Sequence, residues 1–234
     1  MSDVIKYELT DETKVVYGRT LYRIRAVKSF TLISEKEVEK GELGGFVEKL
    51  ENLSQDGDAW VCGNAKVYGD AEVSGNAKVS GNAEVSGNAK VSGNAKVYGD
   101  AEVYGDAEVY GDAKVYGDAE VYGDAEVCGN AKVYGDAEVC GNAKVYGDAE
   151  VCGNAWVYKC EHLLVIGPIG SRNAYTTFFR DKDNEITVIC GCFLGKLDKF
   201  LEAVSETHGD SKYAVVYRAA VEVAKVHIDL TEEE

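Results

Sequence analysis

Proline is almost missing from this chain, at one in 234 residues, although glycine occurs 26 times. That imbalance excludes a proline-rich linker and a collagen-like repeat, both of which need proline in quantity. Long apolar runs are missing as well. The longest, over 163–169, is far too short to span a bilayer. The opening Met1-Ser2-Asp3-Val4-Ile5-Lys6 has no apolar stretch of the kind a secretory leader carries. Positive charge is scarce: 25 Lys and Arg stand against 41 Asp and Glu, for a net charge of -16. Binding nucleic acid by counterion release needs the opposite sign, and an anionic membrane surface repels such a chain. These absences predict a soluble, cytoplasmic protein that partners neither nucleic acid nor membrane. The seven cysteines are an odd number without a secretory leader, which argues for reduced thiols. Four of them, Cys62, Cys128, Cys140 and Cys152, fill one repeat position that tyrosine and serine otherwise hold.

What the chain has instead is a repeat. Residues 57–158 are 17 uninterrupted copies of Gly-(Asn/Asp)-Ala-x-Val-x, with valine every six residues from Val61 to Val157 and alanine likewise from Ala59 to Ala155. A period of six fits neither the 3.6-residue helix nor the helical and leucine-rich repeat units. In an extended Ala-x-Val-x segment side chains alternate, so Ala and Val share one face and the two variable positions the other. Gly-Asn or Gly-Asp supplies a corner, because these residues tolerate the left-handed backbone that a tight turn needs. Three hexads then close one triangular coil of 18 residues. A hairpin meander would favour Asn-Gly over Gly-Asn, and calcium-binding β-rolls repeat every nine residues. A flat ice-binding face needs rows of threonine, and 57–158 has none.

The spacing resembles the left-handed β-helix family of hexapeptide-repeat proteins. Their hexads read Leu, Ile or Val, then Gly, two variable residues, a small residue and a further variable one; glycine here sits one place later. The resemblance implies a mainly β fold, a left-handed parallel β-helix solenoid. Counting back 18 residues from Val61 reaches Leu43, and Leu43-Gly44-Gly45-Phe46-Val47-Glu48 matches the family hexad. Residues 43–60 therefore read as a degenerate first coil, with Leu43 and Leu53 facing inward, and the solenoid covers 43–158. At about 4.8 Å per coil its axis is about 30 Å long. Open solenoid ends recruit strands unless covered. Residues 1–42, alternating at Tyr7-Glu8-Leu9, Val15-Val16-Tyr17 and Leu21-Tyr22-Arg23-Ile24-Arg25 around a Tyr17-Gly18-Arg19-Thr20 turn, suit an N-terminal β cap. Residues 159–234 read as a separate small C-terminal α+β domain. Strands are expected over 163–166, 176–179 and 186–189, with a turn over 181–184. Helices are expected over 197–207 and 213–226, with Gly209 as C-cap and Asp210 or Ser211 as the next N-cap.

Folding the hexads into coils sorts the outward residues into columns. Face one reads Trp60, Lys78, Lys96, Lys114, Lys132, Glu150; face two reads Lys66, Glu84, Glu102, Glu120, Glu138, Trp156; face three mixes Glu72, Lys90, Glu108, Glu126, Lys144. Tyrosine ladders run beside them, Tyr98-Tyr116-Tyr134 on face one and Tyr104-Tyr122 on face two. Stacked like charges repel. They cancel where face one of one subunit meets face two of the next, a heterologous contact that closes as a ring. Three-fold closure is what the family resemblance implies, so a homotrimer is expected, with these lysines, glutamates and tyrosines at its interface. The alternative is that the columns are solvated products of duplicated 12-residue units.

The same resemblance suggests an acyltransferase, which uses a solenoid histidine as general base, or a zinc enzyme. His162, His208 and His227 all lie outside 43–158. The solenoid thus reads as a scaffold, and no catalytic residue, metal or cofactor is assigned. In the C-terminal unit, Gly167-Pro168-Ile169-Gly170-Ser171-Arg172-Asn173 is a glycine-bearing loop able to hold an anion through backbone amides and a guanidinium. Cys190 and Cys192 with Cys160 and His162 are spaced more tightly than structural zinc ligands and read as thiols at strand ends.

Together with Leu43-Gly44-Gly45-Phe46-Val47-Glu48 and Gly57-Asp58-Ala59-Trp60-Val61, that loop gives nearly the whole chain a resemblance to hexapeptide-repeat proteins of phages and prophages of Gram-positive bacteria. The resemblance implies a viral setting in a bacterial cytoplasm. The leading expectation is a non-enzymatic trimeric binding protein holding a small anionic, nucleotide-like ligand, or a host protein. Ser171, Arg172, Thr176, Arg180 and His208 are the candidate contacts. A structural phage component, or an acyltransferase using His208 or His162, are the alternatives.

Overall fold

A computed structural model describes residues 5–33 and 35–231; the first four residues of the expected N-terminal cap and the last three of the C-terminal unit lie outside the described residues. The hexads form the expected solenoid. Every Ala and Val of the repeat is buried, and every repeat glycine turns a corner with φ between +58° and +79°. The valines stack in three parallel sheets. Val61, Val79, Val97, Val115, Val133 and Val151 line face one. Val67 to Val157 line face two, and Val73 to Val145 line face three. Corner side chains add a second set of bonds along the stack: Asn76 Nδ2 donates to Asn94 Oδ1 at 3.0 Å and Asn94 Nδ2 to Asp112 Oδ1 at 3.0 Å.

The first coil departs from the expected register. Val47 rather than Leu43 pairs with the next coil, opposite Val67, and Leu53 bridges to Val73, so this coil is two residues longer than the rest. Leu43 is exposed, whereas Leu53 faces inward as expected. The two extra residues fall between Leu53 and Val61, and a 3-10 turn over Leu50–Asn52 makes the corner before Leu53. It is pinned by the buried Asn52, whose Oδ1 accepts from the Glu48 and Lys49 amides and whose Nδ2 donates to the Gly69 and Ala71 carbonyls.

Both ends are covered, each by different chemistry. In interior coils the carbonyls of Gly75 and Ala77 accept from Asp58 N at 2.9 Å and Trp60 N at 3.0 Å in the coil before. The equivalent Gly57 and Ala59 carbonyls have no coil before them. Lys6 Nζ, fully buried, donates to them at 3.2 and 2.9 Å, while the Tyr7 hydroxyl serves the Leu50 and Leu53 carbonyls. The hairpin of β1 (Tyr7–Val16) and β2 (Arg19–Ala26), turned at Tyr17 and Gly18, pairs onto Leu43–Val47 and so extends face two as an antiparallel ribbon.

At the other end an antiparallel sheet of Leu163–Ile169, Ala174–Arg180, Ile186–Cys190 and Phe193–Lys196 is followed by helices α1 (Leu197–His208) and α2 (Lys212–His227). The fourth strand was not expected from the sequence. Gly191, at φ +62°, lets the chain reverse between Cys190 and Phe193. Gly209 caps α1 as expected, and Ser211 rather than Asp210 precedes α2. One side of the sheet, through Phe178 and Val188, packs on the helices. The other, through Leu163, Phe179 and Ile189, belongs to the solenoid core, and Ala155 bridges to Asp181. Residues 159–231 are thus the lid of the stack and share its core instead of standing apart from it. Among the described residues no helix is long and apolar enough to cross a membrane.

Candidate functional site

The loop between the first two strands of the lid and the reversal at Gly191 converge on the C-terminal end of α1. Gly170 takes φ +72° and Asn173 φ +51°, which folds the loop tightly and turns Ser171 and Arg172 outward. Only glycine fits at 170, because a Cβ there would overlap the Tyr217 ring and hydroxyl. Tyr217 comes from the inward stripe of α2 (Ala214, Tyr217, Val221, Ala224), and its hydroxyl bonds Cys190 Sγ at 3.7 Å. Burial and the neighbouring thiol push the phenol up to about 12.

The result is a cavity of about 210 Å³ whose lining includes Ser171, Arg172, Cys190, Cys192, Phe193, Phe200, His208 and Tyr217. Its aromatic groups are in mutual contact. Phe193 lies 5.2 Å from Phe200, Phe200 5.6 Å from Tyr217, and the His208 ring stacks on Tyr217 at 5.7 Å and 27°. The Arg172 guanidinium lines the same cavity beside Gly191. Among the described residues every other arginine has a hydrogen-bond partner: Glu48 for Arg19, Glu12 for Arg23, Glu8 for Arg25, Tyr158 for Arg180 and Gly209 for Arg218. Arg172 has neither hydrogen bond nor ion pair. Such a site can stack a planar ring and neutralise one anionic group.

Three of the five expected contacts, Ser171, Arg172 and His208, meet here. Thr176 does not. It is buried under the cavity wall, and its hydroxyl donates to Cys190 Sγ at 3.3 Å. Arg180 lies at the opposite end of its strand, where it holds the lid to the last coil. Its guanidinium sits between the Trp156 and Tyr158 rings, 5.3 and 5.2 Å from their centroids, and Nη1 donates to the Tyr158 hydroxyl at 2.7 Å and the Thr231 carbonyl at 3.2 Å. Alternation does not place it there, since Arg180 shares the parity of Phe178; its position as the last residue of the strand does, beside the last coil and the segment after α2. His162, also fully buried, presents Nε2 to the same guanidinium at 3.4 Å. Cys160 is near the Asn142 carbonyl instead, and among the described residues no group of three or more His, Cys, Asp or Glu is placed to hold a metal. The residues that sequence reasoning missed are Tyr217, Phe193 and Phe200. Tyr217 carried a signal, since a tyrosine on the apolar stripe of a helix needs a polar partner for its hydroxyl.

The outward columns on the solenoid lie in the expected register. Tyr98 stacks on Tyr116 at 4.8 Å, and Tyr116 on Tyr134 and Tyr104 on Tyr122 at 4.9 Å. The glutamates of face two are used within the chain as well. Tyr104 donates to Glu120 at 2.8 Å and Tyr122 to Glu138 at 3.2 Å, and Tyr68 bonds Glu84.

No protein-family model matches the chain, and no curated protein is similar to it. The fold therefore defines its class, a β-solenoid repeat protein with two dissimilar caps.

Proposed function

We propose that this chain is a non-enzymatic binding protein whose solenoid is a scaffold and whose lid holds a small anionic ligand with a planar ring, of the nucleotide class. The observation that carries this reading is Arg172, which among the described residues has neither hydrogen bond nor ion pair in a chain of net charge -16, and which lines one cavity with Phe193, Phe200, Tyr217 and His208. A cavity of about 210 Å³ suits a single base with one anionic group better than a dinucleotide. The resemblance to phage hexapeptide-repeat proteins makes sequestration of a nucleotide signal in a bacterial cytoplasm the biological form of this reading. Left-handed coiling and a homotrimer, each lid presenting one pocket, belong to the same reading.

Thermal-shift and calorimetric titration with nucleoside monophosphates and cyclic mononucleotides test it. At least one is expected to raise the melting temperature. Arg172→Ala is expected to weaken binding by about 10- to 100-fold, the value of a charge-assisted bond, and to leave the melting temperature of the free protein unchanged. Lack of stabilisation of the wild-type protein by any of these nucleotides overturns the ligand assignment.

A further inference from the structure

Charge sorts by face on this solenoid. On face three opposite signs pair along the column, Lys90 with Glu108 at 3.5 Å and Lys144 with Glu126 at 2.8 Å. Face one instead stacks Lys78, Lys96 and Lys114 in register, and none of the three has an ion pair or hydrogen bond among the described residues. Face two stacks Glu84, Glu102 and Glu120, of which Glu102 has no partner. Like charges directly opposed on neighbouring strands repel. Burial and the flanking Glu84 and Glu120 accordingly raise the Glu102 carboxyl above its ordinary range. The repeat that mixes signs on face three segregates them along the middle of the other two, whose column ends pair within the chain, Lys132 with Glu150 on face one and Lys66 with Glu84 on face two; the repulsion between the middle coils is left uncompensated. Tyrosine sorts in the same way. Stacked pairs occur on faces one and two, whereas on face three Cys128 interrupts the column between Tyr110 and Tyr146.

We infer that face one of one copy packs against face two of a second copy, lysine ladder against glutamate ladder. Pitch selects this partner. The charges repeat once per coil, about 4.8 Å, whereas an extended peptide presents same-side residues about 6.8 Å apart; a second solenoid matches and a peptide strand does not. Level selects the geometry. Lys78 and Glu84, Lys96 and Glu102, and Lys114 and Glu120 are each neighbours within one coil. Copies with parallel axes and no relative rise therefore align all three pairs together. The contact joins two different patches without translation, so it closes as a ring instead of growing as a filament. A two-fold contact of face one with itself would set lysine on lysine. Tyrosine ladders on both faces supply amphipathic contact area.

This inference rests on the self-association part of the reading above and not on its ligand. Light scattering at micromolar concentration is expected to give a wild-type mass several times the 25.3 kDa chain, falling as salt is raised. Lys96→Glu/Lys114→Glu is expected to run as a single folded chain by circular dichroism, and adding Glu102→Lys/Glu120→Lys is expected to restore the multimer. Lys96→Gln/Lys114→Gln, which removes attraction without adding repulsion, is expected to weaken association at least tenfold and guards against misfolding of the charge swap. A multimer that the swaps leave intact, or a monomeric swap that the second pair fails to restore, overturns the seam alone. A monomeric wild-type protein overturns the seam and the self-association reading together.

Discussion

Arg180 Nη1 donates to the Tyr158 hydroxyl at 2.7 Å, and this bond ties the sheet of the lid to the last coil of the solenoid. Arg180 is 2% exposed, so removing its guanidinium strands the Tyr158 hydroxyl and the Thr231 carbonyl. Breaking a buried network at one partner costs about 3 kcal/mol. Arg180→Met is expected to lose about that much in urea unfolding, and limited proteolysis is expected to release the lid before the coils. Unchanged unfolding would show that Phe179 and Ile189 hold the lid unaided.

His162 sits in the same junction, and burial, reinforced by Arg180, lowers its imidazole to about 4 from an ordinary 6.5. Between those values the unfolded chain binds a proton that the folded chain refuses. Its contribution to stability is therefore complete above pH 6.5 and is lost as pH falls toward 4. Melting temperature is expected to drop across that window, and the drop is expected to be shallower in His162→Gln.

Lys6 gives the opposite end of the molecule a different window. Burial lowers its ammonium to about 8 from 10.5, against the opposing pull of Asp58. From pH 8 to about 10 the unfolded chain retains the proton and the folded chain releases it, so stability is expected to rise with pH in this range. Comparing the wild-type protein with Lys6→Met by chemical denaturation checks this, since the variant lacks the rise.

The corner glycines are constrained twice, by backbone and by stacking. At Gly93, φ is +64° and an added Cβ would lie 2.9 Å from Gly111 N; at Gly153, φ is +63° but nothing lies within 4 Å. Gly153→Ala is expected to cost about 1–2 kcal/mol for the left-handed conformation alone, and Gly93→Ala distinctly more. Equal losses in paired denaturation curves would remove the stacking contribution.

The solenoid was legible because its information is local and repeated. Ala59 and Val61 face inward for the same reason as Ala155 and Val157: period-two alternation between corners that glycine makes. Reading failed where repetition stopped. Leu43 lies 18 residues before Val61, yet two extra residues between Leu53 and Val61 shift the first coil, and nothing in the spacing announces that Asn52 bonds four backbone groups at the corner before them. Arg172 and Arg180 look equivalent in sequence, eight positions apart in a hydroxyl-rich stretch. One lines a cavity and the other is sealed against Trp156 and Tyr158.

Sequence alone determined the period, the inward pair, the corners and the composition of each outward column, because alternation and left-handed turns depend on neighbours a few residues away. Tertiary structure decided which arginine is free, how Lys6 ends the stack, and that the lid shares the solenoid's core. Those outcomes depend on which unsatisfied carbonyls and open apolar edges distant segments must cover, and such contacts exist only once the chain has closed on itself.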